Sequence, residues 1–243
     1  MINILDWDSD FFGIKIARAN LSRLTLETAR AVVDQARTDQ IACVYLLADS
    51  DDPATAHAAE AVGFHLMDIR VTLDTRVPLD LNLAADLPLP DRGSVRPFHP
   101  ADLDTLKRIA RASYTASRFY ADPRFPRDKC DALYDTWITR SCDGWAQAVL
   151  VADVEGIAAG FITCHTKAET GSIGLVGVDA NQQGKGLGST LVDASLRWFA
   201  ANGCTSVEVV TQGRNIGAQR IYQARGFKTR SVQLWYHVWL DEP

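Results

Sequence analysis

Three closely spaced glycines between two hydrophobic stretches are the residues with the clearest chemical meaning in this chain. They stand at positions 184, 186 and 188. The apolar run 173–178 before them predicts a buried strand, and apolar residues at helical spacing after them predict a helix that begins near position 187. The first N–H groups of a helix have no intrahelical acceptors and attract negative charge. The pattern therefore predicts a loop that binds phosphate through its backbone.

Spacing excludes two common glycine-rich phosphate motifs. A dinucleotide fingerprint needs a glycine or alanine five residues after its first glycine, and neither Ser189 nor Leu191 supplies it. A P-loop would need a glycine where Asp179 stands. The remaining pattern, Gln183-x-x-Gly186-x-Gly188, resembles the acyl-CoA signature of the GNAT family of N-acetyltransferases. For this motif alone, a turn that only joins strand to helix stays an alternative.

A second pattern follows the predicted strand 205–210. Its asparagine, alanine, tyrosine and Gly-Phe pair are in register with the second signature of the same family, and they are Asn215, Ala218, Tyr222, Gly226 and Phe227. The asparagine can cap a helix and the glycine can end it in the left-handed conformation. An ordinary capped helix with a core tyrosine would look the same, but the order of the two patterns supports the resemblance.

The resemblance to the GNAT family implies a fold and an acyl donor. The fold is α/β (α+β), with a mixed central sheet and flanking helices, and the donor is acetyl-CoA. In the family a backbone N–H polarises the thioester carbonyl and a tyrosine protonates the departing thiolate. Both groups assist the attack of a neutral amine on the thioester. By position these roles fall to the backbone of 176–178 and to Tyr222. The implied acetyl-CoA-binding residues are Val176, Gly177, Val178, Gln183, Gly184, Lys185, Gly186, Leu187, Gly188, Ser189, Asn215, Ala218 and Tyr222.

Two parts of the chain repeat at an offset of 163 residues. Gly63-Phe64 matches Gly226-Phe227, and segment 44–47 matches 207–210. The early copy lacks the tyrosine and the asparagine of the second signature, and no glycine loop precedes it, so we do not expect it to bind CoA. Convergence of two common strand–helix units is the alternative.

A proline-containing stretch separates the two copies. Residues 74–93 hold three prolines and short Leu/Asp stretches, which predict an extended connector. We therefore expect two units: residues 1–90, a degenerate half-GNAT-like domain with the connector, and residues 91–243, the catalytic domain. In the second unit the sequence predicts helices over 100–113 and 128–141 and then a β-hairpin.

Three further segments resemble the dTDP-fucosamine acetyltransferases, a group within the same family. They are 10–14, 63–68 and 117–126. The resemblance implies that the acceptor is the amine of a dTDP-linked 4-amino-4,6-dideoxy sugar. The third segment supplies the implied substrate-binding residues Arg118, Phe119 and Tyr120, since rings stack on base or sugar and guanidinium groups bind phosphate. A surface loop with ordinary aromatic anchors is the alternative.

The general base is assigned by the same resemblance. A carboxylate on the strand after the first Gly-Phe pair corresponds here to Asp68. A solvated charge on an edge strand is the alternative for this residue. Glu169, Asp179 and His165 are other candidates for the base.

Composition excludes several other classes of function. The net charge is −5, from 25 basic and 30 acidic residues, and no basic block predicts binding to nucleic acid or to a membrane surface. The five cysteines lack a Cys-x-x-Cys pair and predict reduced, mostly buried thiols. Histidine spacing predicts no metal site. Without a leader pattern or a membrane-spanning apolar run, a cytoplasmic location is expected. Aromatic residues in the predicted strand 227–240 favour a homodimer.

The sequence as a whole predicts an acetyl-CoA-dependent N-acetyltransferase that acts on an amino sugar nucleotide. Another amine, such as an aminoglycoside, a polyamine or a protein N-terminus, is an alternative acceptor. A CoA-binding regulatory module without turnover is an alternative of a different class, and the presence of Tyr222 and Asn215 argues against it.

Overall fold

The computed structural model describes residues 1–77 and 94–240. The strands are β1 Ile2–Ile4, β2 Ile16–Ala19, β3 Cys43–Asp49, β4 His65–Arg76, β5 Ser94–Pro97, β6 Ala148–Val154, β7 Ile157–Lys167, β8 Thr170–Val178, β9 Ser206–Gln212 and β10 Lys228–Trp239. The helices are α1 Asp6–Phe12, α2 Leu26–Thr38, α3 Pro53–Ala61, α4 Leu103–Ser113, α5 Arg118–Ala121, α6 Arg127–Arg140, α7 Leu187–Ala201 and α8 Ile216–Gln223. The predicted helices and hairpin of the second unit are therefore present.

The described strands form one mixed sheet. Its order is β1-β2-β3-β10-β4-β9-β8-β7-β6-β5. Neighbours are antiparallel except for two parallel pairs, β2 with β3 and β8 with β9. The predicted fold class, a mixed central sheet with flanking helices, is confirmed.

The sequence repeat is a repeat of structure, and its two copies exchange their long strands. β9, α8 and β10 each begin 163 residues after β3, α3 and β4. In the sheet, β10 of the second copy pairs with β3 of the first, and β4 of the first copy pairs with β9 of the second. β4 and β10 lie side by side at the centre. Each copy thus completes the sheet of the other.

Two details differ from the sequence predictions. Residues 74–76, predicted to belong to the connector, form the end of β4 because their backbone pairs with β9. The remainder of the predicted connector, from 78 to 93, lies outside the described residues. β10 is an interior strand, and its Trp235 and Trp239 are only partly exposed. The homodimer prediction relied on aromatic residues in this strand, which is not an exposed edge.

Side-chain alternation divides the hydrophobic core between the two faces of the sheet. Helices α1, α4, α5 and α6 pack on one face, in a cluster that includes Tyr45 and Phe161. Helices α2, α3, α7 and α8 cover the other face in two clusters, with Phe64 in one and Phe199 in the other. Four cysteines are buried and Cys142 is half-buried, and all five are free thiols. No helix in the described part of the chain is long and apolar enough to cross a bilayer.

An ion-pair cluster fixes the start of α4 against β5. Both terminal nitrogens of Arg96 donate to the Asp102 carboxylate, at 2.7 and 2.9 Å, and Arg96 Nε donates to Asp153 at 2.8 Å. Asp102 also accepts from the His99 backbone N–H at 2.8 Å. The Arg96 hydrogen bonds hold the pKa of Asp102 below its ordinary value.

Asp102→Asn is expected to destabilise the fold by about 2 kcal/mol, because it leaves the part-buried guanidinium without its bidentate partner. The stability that the depressed pKa provides is present above the ordinary aspartate pKa and is lost as the pH falls through the folded-state value. Urea unfolding at neutral pH measures the effect. Asp104→Asn, on the same helix, is the matched control and should change stability by only a few tenths of a kcal/mol. Equal loss in both variants would contradict the role of the cluster.

Candidate active site

A cleft opens where β8 and β9 separate. The two strands pair in parallel from Thr170 and Ser206 to Ile173 and Val209. Beyond that point β8 stays paired with β7 through Val178. A cavity of about 570 Å³ lies here, between the two strands, α7 and α8. The separation of the strands therefore exposes backbone hydrogen-bonding groups inside the protein.

Most of the predicted acetyl-CoA-binding residues line this cavity. They are Val176, Gly177, Val178, Gln183, Gly184, Gly186, Leu187, Gly188, Ser189, Asn215, Ala218 and Tyr222. Lys185 is exposed and does not line it, and its Nζ donates to Gln182 Oε1 at 2.9 Å. The two motifs thus line one cleft, although 25 residues lie between Ser189 and Asn215 in the sequence.

The glycine loop has the geometry of an anion cradle. Gly184 and Gly186 have φ values of 79° and 84°, in the left-handed region that glycine adopts readily. Gly186 is the N-cap of the 15-residue helix α7, whose first turn contains no acidic residue. A Cβ on Gly188 would lie 3.2 Å from Ile221 Cδ1. The loop thus presents free backbone N–H groups at a helix N-terminus, and these features fit the phosphates of CoA.

Gly186→Ala is expected to weaken CoA binding by about tenfold, because an L side chain at this φ strains the loop by roughly 1 to 2 kcal/mol. Isothermal titration with CoA measures the effect. Gly203→Ala is the matched control, since Gly203 has a φ of 77° with open space around its Cα but lies at the other end of α7. It should lose stability and keep its CoA affinity. Similar CoA affinities in the two variants would contradict the cradle.

The edge of β8 that faces the cleft carries the backbone groups of alternate residues. Asp179 N–H donates to Ala159 O of β7 at 2.9 Å, so by alternation Val178 points its N–H away from β7. Val176 lies on the same edge, and its N–H donates to the Tyr114 hydroxyl at 2.6 Å. The same hydroxyl donates to Val176 O at 2.9 Å. Tyr114 therefore already satisfies one peptide group of the predicted polarising segment, while the N–H of Val178 faces the cleft.

Two tyrosines from different elements meet at the end of the cleft. Tyr222, on α8, lines the cavity and is 5 % exposed. Burial raises the pKa of the Tyr222 phenol well above its ordinary value, so the phenol keeps its proton at neutral pH. Tyr114 follows α4 and also lines the cavity, and the sequence analysis missed it. Its position one residue beyond the predicted helix 100–113 was the only signal in the sequence.

Strand β4 is inserted between β9 and β10, and Asp68 lies on this inserted strand. It is 5 % exposed on the interior strand β4, so the alternative of a solvated edge-strand charge is wrong. Its carboxylate accepts from the Ile69 N–H at 2.8 Å. Burial raises the pKa of Asp68 to about 6, against the opposing effects of that hydrogen bond and of the Arg214 and Arg118 charges. Asp68 does not line the cavity.

A stacked pair of tyrosines borders the cleft, which Tyr114 lines. The ring of Tyr134, on α6, stacks on Tyr114 with centroids 4.7 Å apart and planes 8° apart. Burial raises the pKa of the Tyr134 phenol, and the charge of Asp68 adds a smaller contribution in the same direction. Tyr134 thus packs on the residue that hydrogen-bonds to the peptide groups of Val176.

The predicted substrate-binding segment forms α5 and packs over the sheet. The Arg118 guanidinium lies 4.0 Å from the Tyr45 ring centroid and 4.5 Å from that of Trp235. Phe119 is 4 % exposed within the core, and Tyr120 donates its hydroxyl to Asp131 at 2.5 Å. None of the three lines the large cavity. Arg118 nevertheless lies near enough to Asp68 to affect its titration.

A buried histidine holds Arg118 in this position. His237 Nε2 is 2.9 Å from Arg118 Nη1, and His237 Nδ1 is 2.7 Å from Asp122 Oδ2. Burial lowers the pKa of His237 to about 4, although Asp122 opposes this, so the ring is neutral at physiological pH. The arrangement then requires Nδ1–H to donate to Asp122 and Nε2 to accept from Arg118. Trp239 Nε1 donates to the same Asp122 oxygen at 2.9 Å.

The other candidates for the base have different surroundings. Asp179 accepts from Asn181 N–H and from Arg108 Nη1, and these bonds hold its pKa below the ordinary value. Burial lowers the pKa of His165, whose ring packs against Trp145. Glu169 is exposed. Within residues 1–77 and 94–240, no group of three or more His, Cys, Asp or Glu side chains is arranged to hold a metal ion.

Comparison with known proteins identifies the family of the chain and relatives that are acetyltransferases. The sequence model of the acetyltransferase (GNAT) family matches residues 104–227. A dTDP-fucosamine acetyltransferase from Escherichia coli O6:H1 is 26 % identical over 240 residues, which cover 97 % of each chain. The spore coat polysaccharide biosynthesis protein SpsD from Bacillus subtilis is 26 % identical over 59 % of this chain, which spans only half the length of that relative. A mycothiol acetyltransferase from Streptomyces griseus is 27 % identical over 76 % of this chain and 58 % of its own.

Solved structures share the fold at lower identity. A GCN5-related N-acetyltransferase from Sphaerobacter thermophilus superimposes with a TM-score of 0.65 at 15 % identity, covering 98 % of this chain and 76 % of that one. A tandem GNAT protein from the clavulanic acid biosynthesis pathway superimposes with a TM-score of 0.62 at 16 % identity, covering 94 % and 76 %. These similarities concern the fold alone.

Proposed function

Since the chain belongs to the acetyltransferase (GNAT) family, and so is an enzyme that takes its acyl group from acetyl-CoA, we propose that it acetylates the amine of a dTDP-linked 4-amino-4,6-dideoxy sugar. The principal support is the relative of that activity, dTDP-fucosamine acetyltransferase, which aligns over 97 % of this chain. A second relative is named for polysaccharide biosynthesis, which agrees with a sugar acceptor.

The donor side of the proposed mechanism uses the cleft between β8 and β9. When bound, acetyl-CoA supplies a thioester carbon that a neutral amine can attack. The glycine loop would hold the CoA phosphates with its backbone N–H groups. Val178 N–H, which faces the cleft, would donate to the carbonyl oxygen as that oxygen gains negative charge. Tyr222 would give its proton to the departing sulfur, a role that its buried, neutral phenol suits.

The acceptor side of the proposed mechanism uses residues from the inserted strand. Asp68 would accept a proton from the sugar ammonium, either directly or through one water. A carboxylate with a pKa of about 6 is ionised at neutral pH and is more basic than an exposed aspartate. Direct attack then requires the amine to reach the cleft from the side of Tyr134 and Tyr114. Arg118, fixed by His237, would contribute positive charge beside this path.

The acceptor is tested by thiol release from acetyl-CoA with dTDP-4-amino-4,6-dideoxygalactose, beside other nucleotide amino sugars and a panel of simple amines. We expect turnover with the dTDP-sugar and a much lower kcat/KM with amines that lack the nucleotide. Turnover only with other amines would overturn the acceptor while keeping the reaction. No turnover with any amine, despite CoA binding, would favour the regulatory module.

A second candidate acceptor is the amine used in mycothiol synthesis. Several mycothiol acetyltransferases are about 27 % identical over three quarters of this chain, and the alignments cover 58 % of their length. The relative that aligns over both full lengths favours the dTDP-sugar. Including the mycothiol precursor in the amine panel separates the two, because the preferred acceptor will have the higher kcat/KM.

A further inference from the structure

Arg70, on β4, forms no ion pair with any residue in the described ranges 1–77 and 94–240. Arg70 is half-buried on β4, and its Nε atom is buried without a hydrogen-bond partner. Burial holds the pKa of Arg70 below its ordinary value, and the positive charges of Arg18 and Arg230 add to this effect, against an opposing contribution from Glu208. Leaving a charged group desolvated and unpaired is costly. Arg70 therefore has the surroundings of a residue that pairs with an anion from outside the chain.

The neighbouring carboxylates are already engaged. Glu208 pairs with Arg230 at 2.8 Å. Asp49 accepts from Ser22 at 2.8 Å and from Gln233 at 3.2 Å, and it also pairs with Arg23. Across the ranges 1–77 and 94–240, no ion pair joins a carboxylate to Arg70 or to Arg18. The half-buried Arg70 and the exposed Arg18 are therefore two guanidinium groups without an ion pair, and Glu208 is the only carboxylate that acts on the Arg70 charge among the described residues.

This site lies a short distance from the proposed base. Asp68 and Arg70 are two residues apart on one strand, so their side chains share a face of the sheet and their Cα atoms are about 7 Å apart. Asp68 lies opposite Trp235 in the neighbouring strand, and Arg70 lies opposite Gln233. The Arg18 guanidinium is 5.5 Å from the Trp235 ring centroid. The separation of base and arginine is on the order of one hexose ring.

A second cavity adjoins the arginine site. It has a volume of about 390 Å³ and is lined by Asn3, Leu5, Arg18, Ala19, Asn20, Leu21, Ser22, Leu47 and Gln233. Asn20 Nδ2 donates to Asn3 Oδ1 at 2.9 Å, which leaves other amide donors and acceptors for a ligand. Amide groups beside leucine side chains suit a heterocyclic base, which needs hydrogen bonds at its edge and apolar contacts on its faces.

From this arrangement we propose that Arg70 and Arg18 bind the diphosphate of a nucleotide-linked acceptor, with its nucleoside in the adjoining cavity and its sugar amine directed toward Asp68. This inference rests on the proposed function and assigns the acceptor site to the N-terminal part of the chain. Arginine suits the task because its planar donors match phosphate oxygens in pairs. The diphosphate would satisfy the two guanidinium groups and fix the distance between nucleotide and amine.

Isothermal titration of thymidine 5′-diphosphate tests the site in protein already saturated with CoA, so that the glycine loop cannot bind the probe. We expect Arg70→Gln to weaken binding by at least tenfold and Arg18→Gln to weaken it several-fold. Arg37→Gln, at an exposed position on α2, should leave it unchanged. Thymidine and succinate should bind at least tenfold more weakly than the diphosphate, because one lacks phosphate and the other lacks the nucleotide.

Several results would overturn the proposal. Unchanged affinity for the diphosphate in both Arg70→Gln and Arg18→Gln would do so, as would thymidine binding as tightly as its diphosphate. If Arg70→Gln does not fold, the affinity for the diphosphate is measured in Arg70→Lys and Arg18→Gln instead. Lysine keeps the positive charge and lacks the paired donors of the guanidinium group. We then expect Arg70→Lys to retain the CoA affinity and to bind the diphosphate more weakly than the unmodified protein.

The two proposals fail in different ways. If the dTDP-amino sugar is acetylated and its KM is the same in Arg70→Gln, the arginine site is wrong and the acceptor is right. If the diphosphate binds in an Arg70-dependent manner but the dTDP-amino sugar is not acetylated, the diphosphate site stands and the sugar is wrong. Turnover whose KM rises at least tenfold in Arg70→Gln, with kcat little changed, supports both.

Discussion

Asp68→Asn is expected to lower kcat/KM by roughly 10²- to 10³-fold, because the amide cannot accept the proton of the sugar ammonium. In the unmodified enzyme the burial-raised pKa of about 6 makes activity rise as the pH increases through that value. The variant should lose this inflection and keep only the titration of the amine. A pH profile of kcat/KM from pH 5 to 9 measures both effects.

Stability separates this role from a structural one. The folded-state pKa of Asp68 lies above the ordinary aspartate value of about 3.9, so the stability that this group contributes at low pH is lost as the pH rises toward 6 and above. Asp68→Asn should therefore be at least as resistant to urea at pH 8 as the unmodified enzyme. Asp74→Asn, on the same strand, is the control for activity. A variant at Asp68 that keeps the inflection near pH 6 would exclude it as the base.

Tyr222→Phe is expected to lower kcat by about 10²-fold while changing the dissociation constant of CoA by less than about twofold. The phenylalanine ring keeps the packing against Phe227, whose centroid is 5.6 Å away, and removes only the proton donor. Because burial raises the Tyr222 pKa, deprotonation of this phenol should not lower the kcat of the unmodified enzyme below about pH 10. Steady-state kinetics and CoA titration measure the two quantities.

The control for Tyr222 is another buried tyrosine outside the cleft. Tyr236 is 2 % exposed on β10, and its hydroxyl is 3.4 Å from Glu60. Tyr236→Phe should leave kcat unchanged. Equal kcat values in Tyr222→Phe and the unmodified enzyme would remove the proton-donor role and leave the tyrosine as a packing residue.

The cavity lining proposed to bind acetyl-CoA was predictable because its sequence signals are local. Gly184 and Gly186 adopt the left-handed backbone that glycine favours. Asn215 caps α8 by accepting from Ala218 N–H at 3.1 Å. In each case the residue type indicates the local conformation without information from distant parts of the chain. The spacing of apolar residues in the flanking helices and strands follows from burial of one face of each element. Those residues accordingly line one cavity, as the two motifs implied.

The proposed acceptor side was less accessible to sequence reasoning because its residues come together through non-local strand pairing. The offset of 163 residues indicated a repeat, but no local pattern states that β4 inserts between β9 and β10. That insertion buries Asp68 and places Arg70 opposite Gln233, which lines the same cavity as Arg18. Tyr114 gives no signal of its own, since its role depends on the separation of two strands elsewhere in the chain.

The exchange of long strands between the two repeats also governs how the polypeptide can fold while it is being synthesised. β4 ends at Arg76, but its neighbours β9 and β10 begin at Ser206 and Lys228. At ribosomal speeds of about 5–20 residues per second, both edges of β4 stay unpaired for roughly 7 to 30 s after its synthesis. Such distant pairings form late, so the nascent chain passes through an aggregation-prone interval in which a chaperone would protect the unpaired strand.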